Sequence, residues 1–283
     1  MVASENMTNE MPANVQDALA LEALLVAREH LYTLFHKCFG GVPSAELLSA
    51  LLDESTVSVA EEYADDNASM AGLVVFLRTL ASHDADELLD QAKDEYTRIF
   101  VGPVNLPASP YESPYTGAHD MSLFQENTLA VRRAYHAGGL RLRKEQRIPD
   151  DHVSAMCHFM ALCGRRALAA FQAGDATALA ESLRAQSAFV DTHMVNWLGT
   201  YAQAVRNSKA GVNAVFYPQL LEAVAAFAES DAVFLKEAAF WAEQMEGCLA
   251  AIPPHFEAAR DALRALDAIR LLGLEECELE PIE

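Results

Sequence analysis

Apolar residues recur at helical spacing along nearly the whole chain, and that period leaves few folds open. Leu21, Leu24, Leu25, Leu31, Leu34 and Phe35 stand at intervals that put them on one face of an α-helix. Gly40-Gly41 closes the stripe where a helix C-terminus favours glycine. Ser44, after Pro43, is placed to cap a second helix carrying AELLSALL. Helical spacing resumes over 68–81. Asp84, with Glu87 three residues on, resembles a capping box and opens a helix that carries Tyr96 and Phe100. Further helices are expected over 120–137, 149–172, 176–190, 191–207, 214–229, 231–250 and 255–272, with Gly174 ending one and Asp175 capping the next. No stretch shows the sustained alternation of a half-buried strand, and no internal repeat is present. The expectation is an all-α fold, a single globular bundle of about ten helices. Residues 1–14 read as a flexible tail, 15–274 as the helical domain and 275–283 as a loose acidic tail. The basic run RLRKEQR, 141–147, reads as a solvated loop.

One segment breaks the pattern. YTRIFVGPVNLPASPYESPY, 96–115, begins as a helix end and then takes in Gly102, Pro103, Pro107, Pro110 and Pro114. Proline lacks an amide donor and fixes φ, so no regular helix or central strand holds all four. A flexible spacer would be rich in Gly, Ser or charge, whereas this stretch carries Phe100, Val101, Val104, Leu106, Tyr111 and Tyr115. Long ordered apolar loops are uncommon and usually functional, although aromatics that merely plug a core would look the same.

Charge excludes several partners. With 41 acidic against 20 basic side chains the formal net charge is -21. Binding a nucleic-acid backbone or an anionic membrane surface needs clustered Lys and Arg, so neither is expected. A cationic partner suits the balance. The five cysteines, Cys38, Cys157, Cys163, Cys248 and Cys277, are odd in number and form no CxxC pair. They read as free thiols in a reducing compartment, not as a disulfide framework or a zinc site. The N-terminus has no basic start or apolar core of a secretory signal, and no window is apolar enough to span a membrane. A cytoplasmic protein without direct membrane insertion is expected.

A second stretch, IPDDHVSAMCHFMALCGRRA, holds the chemistry-bearing candidates. Pro149 and Asp150 suit a helix start, which prefers proline and acid in its first turn. His152 is less easily explained and leads the apolar stripe Val153, Met156, Met160, Cys163. Adjacent Asp151 and His152 point in different directions on a helix, which disfavours a direct catalytic dyad. No GxSxG, HExxH, P-loop or GxGxxG occurs. A metal site of Asp150, Asp151, His152 and a remote His193, or a nucleotide site, stays as a remote enzyme alternative.

Together these stretches resemble the TorD/DmsD/NarJ family of chaperones that mature molybdenum-containing redox enzymes, nearest the DmsD/TorD branch. YTRIFVGPVNLPASPYESPY is similar to the family's aromatic-x-x-L-F-x-G-P segment followed by P-x-x-S-x-Y. PDDH at 149–152 is similar to its E-P-x-D-H motif, with Ile148 in place of Glu. THMVNWLGTYAQAV, 192–205, and FYPQLLEAVAAF, 216–227, are similar to its H-x-x-x-W helix and the F-Y helix after it. Tyr111 stands where the DmsD branch tends to have Trp. The resemblance covers about 20–228; the helices expected over 231–272 lie beyond it.

The resemblance implies a TorD-like fold, no catalysis and no cofactor of its own. It implies that the chain binds the twin-arginine signal peptide of a molybdenum-cofactor reductase catalytic subunit and delays export until the cofactor is inserted. The alternative it leaves open is a NarJ-like assembly chaperone for a non-exported or leaderless subunit. Implied partners are a twin-arginine leader or the catalytic subunit of a DMSO-reductase-family molybdoenzyme; cofactor-insertion machinery and a homodimer stay open. The implied peptide-contact residues are Pro149, Asp151, His152, Tyr96, Ile99, Phe100, Pro110 and Tyr111. Asp150, Ser113, Tyr115, His193 and Trp197 stand as supports, with core packing the better reading of Trp197. An acidic groove with apolar walls would complement an arginine pair followed by an apolar stretch.

Overall fold

The computed structural model describes residues 13–65, 67–102, 106–116, 126–144, 148–252, 260–272 and 277–282. In chain order the described elements are α1 (Ala13–Gly40), α2 (Ala45–Leu51), α3 (Glu54–Glu61), α4 (Ala68–Leu80), α5 (Ala85–Tyr96), a π-helical turn (Thr97–Val101), α6 (Ser113–Thr116), α7 (Glu126–Ala137), β1 (Leu140–Leu142), α8 (Val153–Gln172), α9 (Ala176–His193), α10 (Leu198–Asn207), α11 (Tyr217–Gln244), α12 (Arg260–Arg270) and β2 (Leu279–Pro281). The all-α bundle is as expected, with twelve helices among the described residues. All but the last two residues of the expected 1–14 tail lie outside the described residues.

α1 is the axis of the bundle. Its sequence shows one apolar stripe, yet every residue from Leu25 to Phe39 is buried. The other faces hold polar groups, and a helix buried on all sides must satisfy them. Arg28 pairs with Asp231, Glu29 with Arg165 and Arg270, and Lys37 with Glu278. His30 meets Thr56 at 2.9 Å and His36 meets the Ser154 hydroxyl at 2.9 Å. α8 runs along α1, and α9 packs on α8 and on α11.

Local signals place most helix starts. Ser44 Oγ accepts from Leu47 N, Asp84 Oδ1 from Asp86 N and Glu87 N, and Asp175 Oδ1 from Ala178 N. Gly174 ends α8 at φ 71°, where a Cβ would come within 2.6 Å of Ala250 Cα. The start of α11 is capped from a distance: Glu95 of α5 accepts from Val215, Phe216 and Tyr217 N–H groups at 2.7, 2.8 and 3.1 Å.

Four expectations need correction. The helices over 214–229 and 231–250 are one, α11, because Asp231 is drawn into the core by Arg28 and Tyr32 and does not begin a new turn. The helix over 191–207 is split, α9 ending at His193 and α10 starting at Leu198. The helix at 149 starts only at Val153, with His152 as its N-cap. The basic run and the acidic tail are not both loose: β1 pairs antiparallel with β2, Arg141 opposite Glu280 and Leu142 opposite Leu279. Cys277 and Leu279 are buried there, which gives the pairing an apolar side.

Candidate functional site

The Pro-aromatic loop and PDDH do meet. Pro110 C=O accepts from Val153 N at 2.9 Å, and Asp151 C=O accepts from Glu112 N at 3.1 Å. Tyr111 and His152 sit side by side across this two-bond clasp, their rings 5.1 Å apart and nearly edge-on. The clasp follows from the sequence: proline has no N–H to offer at Pro110, but its carbonyl can still take the first free amide of α8.

Each polar residue of the cluster has an internal task. His152 Nδ1 accepts from Ser154 N at 3.1 Å, which makes the imidazole the N-cap of α8. Burial pushes its pKa down to about 4, so it stays neutral and keeps that lone pair. Asp151 is 1% exposed and its Oδ2 takes both the Ser113 amide, at 2.9 Å, and the Ser113 hydroxyl. Its Oδ1 is buried without a hydrogen-bond partner. Asp150, also 1% exposed, holds Arg132 through Oδ2 at 2.7 and 3.0 Å, and its carbonyl accepts from Tyr135 OH at 2.9 Å. Pro149 is half-buried in the turn ahead of them.

The loop residues are braced in turn. Tyr115 OH donates to Ser109 C=O at 2.9 Å, and its ring stacks on Trp197 at 5.5 Å. Trp197 is fully buried and donates from Nε1 to His193 C=O at 2.7 Å. His193 Nδ1 lies 3.0 Å from Glu112 Oε2. Burial raises the Glu112 pKa, with the His193 contact working against that rise. Glu112 was not singled out from the sequence; the signal for it was a lone acid inside an otherwise apolar loop.

Tyr96, Ile99 and Phe100 face elsewhere. Tyr96 and Phe100 stack at 4.9 Å and pack against Phe39 of α1 and Tyr217 of α11, while Ile99 is fully buried. They are walls of the bundle's interior. The apolar surface next to the clasp comes instead from α7, α8 and α9, which leave a groove of about 580 Å³ between them. Phe159 and Phe189, 4.6 Å apart, form its floor, and Ala134, Ala178, Ala185 and Ala188 its sides. Its volume is that of a typical ligand or peptide site. His193 lines one end and Phe189 lies 5.2 Å from that ring, so the groove runs into the Glu112–His193 pair. Small residues at facing positions are what keep the helices from filling this space; in sequence the alanines look like ordinary helix formers.

The arrangement offers a mainly apolar trough that also carries Arg166 and Glu181, with His193 joining it to the buried Glu112. Among the described residues no group of three or more His, Cys, Asp or Glu converges to hold a metal ion. Among them, too, no helix is long and apolar enough to cross a membrane.

The model of the family described as "Nitrate reductase delta subunit" matches residues 59–203, just over half the chain, and the chain belongs to that family. Its relatives lie on the TorD/DmsD side. It is 29% identical over 168 residues to the chaperone protein TorD of Photobacterium profundum, covering 56% of this chain and 69% of that protein. It is 28% identical over 113 residues to the Tat proofreading chaperone DmsD of Salmonella paratyphi A, covering 40% and 50%, and 28% identical over 157 residues to TorD of Vibrio cholerae, covering 55% and 64%. The chain thus spans between half and about two thirds of the length of these curated relatives.

Proposed function

We propose that this chain is a redox-enzyme maturation chaperone and not an enzyme. Family membership and the relatives' names as chaperones support that class. In the finer reading it binds the twin-arginine signal peptide of a molybdenum-cofactor reductase catalytic subunit and holds it until the cofactor is in place. Its place of work is the cytoplasm. The observation that supports the reading is the groove between α7, α8 and α9, lined mainly by alanines, Phe159 and Phe189, with Arg166 and Glu181 also in its walls and His193 joining it to the buried Glu112.

The leader's apolar stretch lies in the groove and its arginines reach the clasp. Glu112 gains most, because its buried carboxylate has His193 at 3.0 Å and the Thr116 hydroxyl at 3.4 Å, whereas a guanidinium brings a fixed charge. Asp151 can receive the second arginine when loop 106–116 lifts and breaks the two backbone bonds to Asp151 and Val153. Pro149, His152, Pro110 and Tyr111 set the hinge of that opening, with Asp150, Ser113, Tyr115, His193 and Trp197 bracing it. Tyr96, Ile99 and Phe100 act through the interior that supports the loop. Micromolar binding of a transient client corresponds to about -8 kcal/mol, and each charge-assisted contact to about 1.5–3 kcal/mol.

A second reading, assembly of a non-exported or leaderless subunit, draws support from the description of the matching family as a delta subunit. Pull-down from the native host with mass spectrometry separates the two. A reductase subunit recovered with its twin-arginine leader attached supports the first; recovery of leaderless subunits alone moves the assignment to the second.

A further inference from the structure

Cys277–Ile282 lies outside the span matched by the family model, yet it occupies a cleft built by elements inside that span and by α1. Its backbone is held on both edges. Arg143 N–H donates to Glu278 C=O at 2.9 Å and Ile282 N–H to Gly139 C=O at 3.0 Å, which makes β2 a partner of β1. Leu279 N–H donates to His158 Nδ1 at 2.9 Å. His158 stacks on His36 at 4.2 Å, and burial pushes its pKa down to about 3, so it is a neutral acceptor.

Side chains alternate along the segment. Cys277 and Leu279 point inward and are buried, the Cys277 thiol 3.7 Å from His152 Nδ1. Glu278 and Glu280 point to cations. Glu278 lies 3.6 Å from Lys37 Nζ and 2.6 Å from Arg143, and Glu280 lies 3.0 Å from Arg141. Ladder bonds, pockets for alternate side chains and charge pairing are the three devices by which proteins bind extended peptides. Lys37, Arg141 and Arg143 make this pocket basic although the chain's net charge is -21.

The hold on the segment is modest. Arg141 and Arg143 are 46% and 51% exposed, and ion pairs with such partners contribute little. β2 has three residues and, among the described residues, β1 is the one strand paired with it; a two-stranded pair is marginal by itself.

We infer that the cleft between α1, β1 and the start of α8 is a binding site for an extended acidic peptide segment of a partner protein, with small apolar residues at alternate positions, and that Cys277–Ile282 is its competing occupant in the same chain. The inference stands apart from the leader-binding reading: a twin-arginine leader is cationic and is repelled by Lys37, Arg141 and Arg143, so the two sites select opposite charges.

The test uses a fluorescent peptide of the sequence CELEPIE, residues 277–283, and the full chain as wild type and as Leu279→Ser. That substitution weakens the occupant and leaves the cleft intact. The peptide is expected to bind Leu279→Ser at least tenfold more tightly than wild type. Adding Arg143→Glu should undo the gain, and a peptide with lysines in place of its first two glutamates should bind neither protein. Equal binding to wild type and a folded Leu279→Ser, or equal binding of the lysine peptide, overturns the inference. Hydrogen exchange on the wild type provides a second reading that needs no variant. The Leu279 and Arg143 amides should exchange at least a hundredfold faster than those inside α8. Exchange as slow as that of α8 would make the segment part of the core and overturn the inference.

Discussion

The centre of the bundle and its loop end both bury charge, but they bury it differently. At the centre Arg28, Tyr32, Gln186 and Asp231 form a connected set on α1, α9 and α11, with Arg28 to Gln186 at 3.0 Å and Tyr32 to Asp231 at 2.8 Å. Every member stands on a long helix, and Arg28 and Asp231 are fully buried. At the loop end Glu112, Asp150, Asp151 and His152 stand on irregular backbone or at a helix start, and a groove opens beside them. Burial alone therefore does not mark a functional site here. What separates the loop end is charge buried on backbone that is held by two hydrogen bonds, next to the groove between α7, α8 and α9.

The largest effect is expected at the centre. Asp231→Ala leaves Arg28 buried and uncompensated, a loss of about 3–5 kcal/mol. Chemical denaturation measures it, and a loss under 1 kcal/mol would mean that the two clusters do not differ as described. Asp151→Ala comes second. It removes the acceptor for Ser113 and should cost about 1–3 kcal/mol. Hydrogen exchange should show loop 106–116 losing protection while α1 and α11 keep theirs. Asp151→Asn, which retains an acceptor oxygen, should recover part of the loss.

Acid separates the regions further. His152 falls from the ordinary value of 6.5 to about 4, so the folded state binds fewer protons than the unfolded chain between those values. Stability from this group is complete above 6.5 and is lost as pH falls towards 4. The slope is up to about 1.4 kcal/mol per pH unit for each such group. His36 and His158, both lowered chiefly by burial, act in the same direction, and Glu112, raised by burial, acts against them. His152→Asn keeps a capping oxygen without the titration, so its melting temperature should fall less steeply across this window. An unchanged slope would remove His152 from the account.

What could be read from the sequence follows from how local each signal is. The caps at Ser44, Asp84 and Asp175 were legible because cap and helix adjoin. Pro110, Tyr111, Asp151 and His152 were legible as a pair of motifs, and the structure brings them into contact. The division between 214–229 and 231–250 could not be corrected from neighbouring residues; Arg28, 203 residues away, and Tyr32 explain why Asp231 stands in mid-helix. The partners of β1 were hidden for the same reason, Arg141 and Glu280 lying 139 residues apart. Tyr96 and Phe100 are implied as peptide contacts by the resemblance, and the structure packs them against Phe39 and Tyr217, a direction that a sequence motif does not carry. The groove itself was silent, because Ala178, Ala185 and Ala188 matter through the volume they leave empty.

That groove gives the most direct test of the central claim. Ala185 and Ala188 are exposed on α9, so Ala185→Phe should change stability by no more than about 0.5 kcal/mol. It should nonetheless fill the trough. Isothermal titration of a peptide bearing two consecutive arginines and an apolar stretch, against wild type and Ala185→Phe in parallel, should give micromolar binding to the first and at least tenfold weaker binding to the second. No binding to wild type, or equal binding to both, would contradict the account.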